Sequence, residues 1–283
     1  MSGTESGKAA LSSTDSPPTA LIAGTGALPG LLLREAPGML VCELEGFAAS
    51  LPEGAERLVF RIERLVPFLD LLLARGIERV CFAGAMRRPK LEPELFDAAT
   101  ASLVPRLLAA MQGGDDATLR AVIALFEEWG LAVVGADTIA PGLVPGEGLL
   151  CGAPTARDLA DATRAAGIVA ALGAADVGQG AVVAGGLCLG LEALPGTDAL
   201  LDFVAAHRAL GPRPPAGVFF KAPKPGQDRR IDLPALGVQT VEKVAAAGLA
   251  GIAFEAGGVL LLDREAMVEA AQEAGIFLWG RAP

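Results

Sequence analysis

Tyrosine is absent from the 283 residues, histidine occurs once, and aromatic residues make up only 5%. Any chemistry must therefore rest on Asp, Glu, Lys, Arg, Gln, Ser, Thr or backbone groups, helped by a hard metal if one is bound. The single histidine, His207, falls in the helical pattern "LLDFVAAHRALG" and reads as a helix-surface or cap residue. The four cysteines, Cys42, Cys81, Cys151 and Cys188, are single, widely spaced and set in apolar contexts. With no CxxC pair, neither a zinc site nor a disulfide framework is expected, and all four read as small buried hydrophobes.

Long apolar runs are missing too, although 52% of residues are hydrophobic and the mean hydropathy is +0.47. The best candidates, Leu21–Leu33 and Val177–Leu191, are broken by glycines. Both fall short of the roughly 18–20 residues a spanning helix needs. Positive charge is scarce: 23 Lys and Arg face 33 Asp and Glu, for a net charge of −10. A phosphate backbone rewards a broad basic surface, so nucleic acid is not the expected partner. The opening stretch, residues 1–18, has neither an apolar core nor a cleavage signature. It is expected to be a disordered leader, and the protein cytoplasmic.

What is present is an alternation of short β runs and helical patterns. "TALIAGTG", "MLVCELE", "ERVCFAGAM" and "LAVVGA" read as strands, separated by helices such as "IERLVPFLDLLLARG" and "DATLRAVIALFEEWG". That order predicts a mostly parallel, Rossmann-like sheet covered by helices over residues 19–140. The Gly/Pro-rich segment 141–155 reads as a linker. Residues 156–283 resume the alternation as a second α/β domain, opening with a helix capped by Thr155 and Asp158. "GAVVAGGLCLGLEA" and "GIAFEAGGVLLLD" read as hairpins, and "TDALLDFVAAHRALG" as a helix capped by Thr197 or Asp198. The expected architecture is two α/β domains with a cleft between them.

Several motifs could face that cleft. "GTGALPG" (Gly24–Gly30) follows a strand and opens a helix, but its third glycine comes one residue late for a dinucleotide fingerprint. Gly24 and Gly26 suit either a tight turn or a helix N-terminus that meets a phosphate. Arg87 and Arg88 follow a strand end and are either a solvated turn or a bidentate phosphate grip. In "GGDDATLR" one of Asp115 and Asp116 is explained as an N-cap, which leaves the other open to a ligand or metal. Asp176, Gln179, Glu192, Thr197 and Asp198 stand at strand and helix edges.

The richest stretch is "KAPKPGQDRRID", Lys221 to Asp232. It concentrates two lysines, two arginines, two aspartates and a glutamine where a buried strand ends. An aspartate flanked by cations stays ionised and can orient water or hold Mg²⁺, while the cations neutralise phosphate charge. This is the inventory for phosphoryl transfer or pyrophosphate hydrolysis.

"KAPKPGQDRRIDLPALGVQTVEKVAAAGLAGIAFEAG" resembles the C-terminal signature of the UDP-2,3-diacylglucosamine pyrophosphatases unrelated to the metallophosphoesterases. "AGTGALP", "GAMRRP", "GGDD", "DVGQGAVV" and "EALPGTDALL" are similar to that family in the same order, over roughly residues 19–280. The resemblance implies hydrolysis of UDP-2,3-diacylglucosamine to UMP and 2,3-diacylglucosamine 1-phosphate (lipid X), in lipid A biosynthesis of Gram-negative bacteria. It also implies a divalent cation, Mg²⁺ or Mn²⁺, a homodimer, and transient contact with the inner membrane surface. The essential aspartate maps to Asp228, with Gln227 and Lys221 as catalytic companions. Lys224, Arg229, Arg230, Arg87, Arg88, Gln179, Thr197, Gly24 and Gly26 are expected to bind substrate. Asp228, Asp232, Asp176 and Asp115 are the candidate metal ligands. A non-catalytic nucleotide or lipid carrier and an NAD-linked oxidoreductase are the alternatives.

Overall fold

The computed structural model describes residues 17–52, 54–86, 90–112, 115–208 and 216–283, with backbone alone for Asp115 and Asp116. The leader expected over 1–18 thus lies outside the described residues, apart from Pro17 and Pro18.

In the first half the described residues run β1 (Thr19–Ala23), α1 (Leu28–Glu35), β2 (Leu40–Leu44), β3 (Arg57–Phe60), α2 (Leu65–Ala74) and β4 (Arg79–Ala83). α3 (Ala98–Gln112), α4 (Asp115–Glu128), β5 (Ala132–Val134) and the short α5 (Ala136–Ile139) follow. Their sheet has the order β3-β2-β1-β4-β5, and all four pairings are parallel. Every residue of β1 and β2 is buried, as a sheet covered on both faces requires. Alternation along β1 sends Ala20 and Ile22 to one core with Leu69, Leu72 and Phe126. Leu21 and Ala23 go to the other, with Leu32 and Val41.

The second half runs β6 (Gly148–Cys151), α6 (Ala156–Ala174), β7 (Gly180–Ala184), β8 (Leu187–Leu191), α7 (Gly196–His207) and β9 (Val218–Lys221). It continues with β10 (Ala235–Leu236), α8 (Val238–Ala246), β11 (Gly251–Glu255), β12 (Leu260–Leu261), α9 (Arg264–Glu273) and β13 (Phe277–Arg281). Its main sheet has the order β6-β13-β11-β9-β7-β8; β9, β11 and β13 are parallel to one another, and β6, β7 and β8 join antiparallel. α6 covers one face through Ala162, Ala165 and Val169. α7, α8 and α9 cover the other through Leu201, Val204, Val241, Val244 and Met267. The Thr155–Asp158 capping box is formed, with Thr155 N–H donating to Asp158 Oδ2 at 2.8 Å.

The mixed α/β architecture, built on two main sheets, follows the sequence, with local differences. β3 and β13 carry too little pattern beside strong helix signals to stand out. Within the 141–155 segment read as a linker, Gly148–Cys151 form a strand that pairs with β13. "GIAFEAGGVLLLD" is not a hairpin. β11 stays in the large sheet, while β12 leaves to pair in parallel with β10. The cause is burial: Leu260 enters the core of the first half, where Leu233, Ala235 and Leu262 pack beside it. Neither Thr197 nor Asp198 caps α7, whose N-cap is Pro195. Cys42, Cys81 and Cys151 are buried, and burial pushes the Cys42 and Cys81 thiols up to about 12. Cys188, on the edge strand β8, is exposed, against expectation. His207 sits at the α7 C-terminus, stacked on Phe203 at 4.1 Å between centroids.

Candidate active site

In the order 3-2-1-4-5 the chain reverses direction across the sheet between β1 and β4, and the crevice outside their carboxyl ends is where ligands bind. Here the two strand ends cross. Gly24 N–H donates to Ala83 O at 2.7 Å, and Thr25 and Ala85 exchange backbone bonds at 2.9 Å each. A Cβ on Gly24 would meet Ala85 O at 2.6 Å, and one on Gly84 would meet Thr25 O at the same distance. Glycine at 24 is therefore a close-approach requirement, and Gly26, at φ 101, makes the turn into α1.

Over this crevice lies the loop that leaves β9. A cavity of about 340 Å³ separates them, lined by Thr25, Gly26, Ala27 and Leu28 below and by Arg229–Leu233 above. The loop is held down by its own apolar residues: Ile231 packs on one core of the first sheet and Leu233 on the other. Its far side borders a second cavity of about 210 Å³, against α6, with Lys224, Gln227, Arg229, Glu255 and Arg281 in its wall.

Lys221, at the end of β9, is 6% exposed. Its ammonium donates to Thr197 Oγ1 and lies 3.4 Å from Glu192 Oε2, and Thr197 in turn donates to Glu192 at 2.8 Å. The triad lines neither cavity. It satisfies a buried charge pair and fixes the strand end from which the loop starts.

Asp228 is gripped by Arg230. Nε donates to Oδ1 at 3.0 Å, Nη2 to Oδ2 at 2.7 Å, and the Arg230 backbone N–H to Oδ1 at 3.0 Å. The guanidinium hydrogen bonds hold the Asp228 carboxyl below the usual carboxylate range, and the charge of Arg120 on α4 adds a smaller pull. Arg230 also donates to Glu127 of α4 at 2.5 Å, joining the loop to the first half. Asp228 is not itself a lining residue; it meets the larger cavity through Arg230, whereas Asp232 lines it directly. Gln227 Oε1 accepts from Lys224 N–H and Gln179 Nε2, each at 2.8 Å, and its Nε2 donates to Asp232 Oδ2. Arg229 pairs with Glu255 at 2.7 Å and Lys224 with Asp176 at 2.6 Å.

The structure thus gathers Gly26, Arg229, Arg230 and Asp232 around one cavity, with Asp228, Gln227 and Gln179 directly behind. Lys221 and Thr197 stand apart in the buried triad, and Asp176 is tied to Lys224 and lines neither cavity. Arg87 and Arg88 lie outside the described residues, as does the side chain of Asp115 at the start of α4. Among the described residues, no three of His, Cys, Asp or Glu converge as a metal cage. Mg²⁺ does not need one, since it is usually held by one or two carboxylates plus substrate phosphates. The two carboxylates of the loop, Asp228 and Asp232, stand on a single turn closed by Asp232 N–H to Asp228 O at 3.3 Å. Glu127 and Glu255 were not legible as partners of the loop arginines, because only the fold brings them near. Glu192 showed itself only as a polar residue at a strand edge.

Comparison with known proteins covers both halves. Residues 18–143 match the family model of the LpxI N-terminal domain, and residues 146–279 that of the LpxI C-terminal domain. The chain is 40% identical over 272 residues to a Caulobacter vibrioides protein named UDP-2,3-diacylglucosamine pyrophosphatase LpxI. That alignment covers 93% of this chain and 97% of the relative. With both domain families matched in order and the relative covered nearly end to end, this chain belongs to the LpxI family of UDP-2,3-diacylglucosamine pyrophosphatases.

Proposed function

We propose that this protein hydrolyses the pyrophosphate bond of UDP-2,3-diacylglucosamine, releasing UMP and 2,3-diacylglucosamine 1-phosphate for lipid A biosynthesis, with Mg²⁺ or Mn²⁺. The observation that carries the reading is the loop over residues 225–232, seated across the switch point of a parallel sheet, where Arg229, Arg230 and Asp232 share one cavity with Thr25–Leu28 at the start of α1. Arg229 and Arg230 neutralise phosphate charge, and the backbone N–H groups at the α1 N-terminus add a favourable dipole. Asp228 remains an anion because Arg230 holds it so. A substrate phosphate that competes for Arg230 frees the Asp228 carboxylate oxygens to orient the attacking water. Asp228 and Asp232 would hold a divalent cation, which when bound would supply Lewis-acid polarisation of the phosphoryl oxygens.

The same reading places the enzyme in the cytoplasm as a homodimer that touches the inner membrane where its acylated substrate resides. These three points rest on family likeness. Among the described residues no helix is long and apolar enough to cross a membrane. Purified protein incubated with UDP-2,3-diacylglucosamine and Mg²⁺ should release UMP and the sugar 1-phosphate, followed by mass spectrometry. Asp228→Ala should lower kcat by ~10²–10³, the scale expected for removing a preorganised charged group. Absence of UMP from the wild-type reaction would refute the assignment.

A further inference from the structure

Both ends of the Gln227 side chain are engaged. Its oxygen accepts two hydrogen bonds at 2.8 Å, from the Lys224 backbone N–H and from Gln179 Nε2. Two donors on one atom fix which end of the amide is which, so Nε2 is the end that faces Asp232 Oδ2. The Gln179 backbone is anchored in turn, because its main-chain carbonyl accepts the Ala222 N–H at 3.1 Å, one residue past β9. The result is a continuous relay from the entry of β7 to a carboxylate in the wall of the larger cavity.

The two loop aspartates are held in different ways. Asp228 has both oxygens on a guanidinium, a partner that offsets its charge. Asp232 is held by a neutral amide, which orients one oxygen and leaves the charge of the group in place. We infer that Gln179 and Gln227 are positioning residues whose task is to aim the Asp232 carboxylate into the interdomain cavity, with neither glutamine contacting the phosphates. The inference builds on the hydrolase reading above.

Gln227→Glu is the discriminating variant. It preserves the size of the side chain and the oxygen that accepts from Lys224 and Gln179, but replaces the donor to Asp232 with a second negative oxygen. A loop anchor would show that change mainly as a lower thermal midpoint, whereas an aiming device would show it in kcat. A displacement of about 1 Å can cost ~10²-fold, so kcat should fall by about that factor with KM changed less than ~3-fold. Asp232→Ala should lower kcat at least as far, and Gln227→Glu/Asp232→Ala should be no slower than Asp232→Ala alone, because the two act as one unit. Gln179→Ala should give a smaller loss of the same kind, with the thermal midpoint of each variant close to wild type. Wild-type kcat for Gln227→Glu, additive losses in the double variant, or a rise in KM alone would overturn the inference while leaving the hydrolase reading intact. A wild-type protein without turnover would remove the hydrolase reading instead. In that event a crystal structure of Gln227→Glu still decides: a carboxylate of Asp232 that has not moved refutes the relay.

Discussion

The loop carboxylates gain their properties from one or two neighbours each, and those neighbours can be changed singly. Arg230 lowers the Asp228 pKa from its ordinary value of 3.8, so the folded group binds a proton less readily than the unfolded one. A depressed folded pKa contributes stability above the unfolded pKa and loses it as pH falls through the folded value. Arg230→Met should therefore lower the urea midpoint near pH 7 and leave a smaller difference from wild type near pH 3. Arg230 is 41% exposed and solvent screens the pair, so the effect should stay at or below ~1 kcal/mol. The same variant should move the acidic limb of the pH–rate profile upward, because Asp228 returns toward its ordinary range. The charged loop was legible in the sequence, since carboxylates among four cations just past a buried strand end mark a charged site, and the family resemblance singled out Asp228 within it. Its environment was not: Glu127, which shares Arg230, lies 103 residues earlier in the chain.

Among the elements, β9 and its loop rest on the buried Lys221–Glu192–Thr197 triad. Lys221→Met leaves the Glu192 carboxylate buried without its cation, a change that costs about 3–5 kcal/mol in such sites. A thermal midpoint lower by ~10 °C is expected, and Lys221→Met/Glu192→Leu should recover most of it, because replacing both charges removes the unpaired one. Recovery in the double variant would show that Lys221 acts through folding rather than through substrate. At β1, Gly24→Ala should be destabilising by ~1–3 kcal/mol and lower activity, since the added methyl would sit 2.6 Å from Ala85 O. Circular dichroism melts alongside UMP release would check both effects. Strands with strong β-branched or fully buried runs, such as β1, β4 and β9, were plain from sequence. β3 was not, because an edge strand of four residues with alternating exposure carries little signal. The supposed hairpin at Gly257–Gly258 failed for a different reason, as local turn chemistry gave way to burial of Leu260 far along the chain.

Among the described residues the fold has two main sheets, as the alternating pattern implied, and a two-stranded ribbon of β10 and β12, but what joins the two main sheets could not be read locally. Leu260 is 3% exposed within a core that otherwise belongs to the first sheet, with Leu233, Ala235 and Leu262 packed against it. Ile231 fills part of the opposite core. These are ordinary apolar residues, and nothing in their sequence context says which sheet they serve. The consequence is one of cooperativity. A first half made alone would present vacancies where five side chains of the second half belong, so residues 17–143 expressed by themselves should aggregate or remain molten. The full chain should unfold in a single calorimetric transition with matching van 't Hoff and calorimetric enthalpies. Two resolved transitions would mean that the ribbon of β10 and β12 is only loosely docked. If the transition is single, truncating Leu260 to Ala at the ribbon should weaken both sheets at once, so that slow hydrogen exchange is lost in β1 and β11 together.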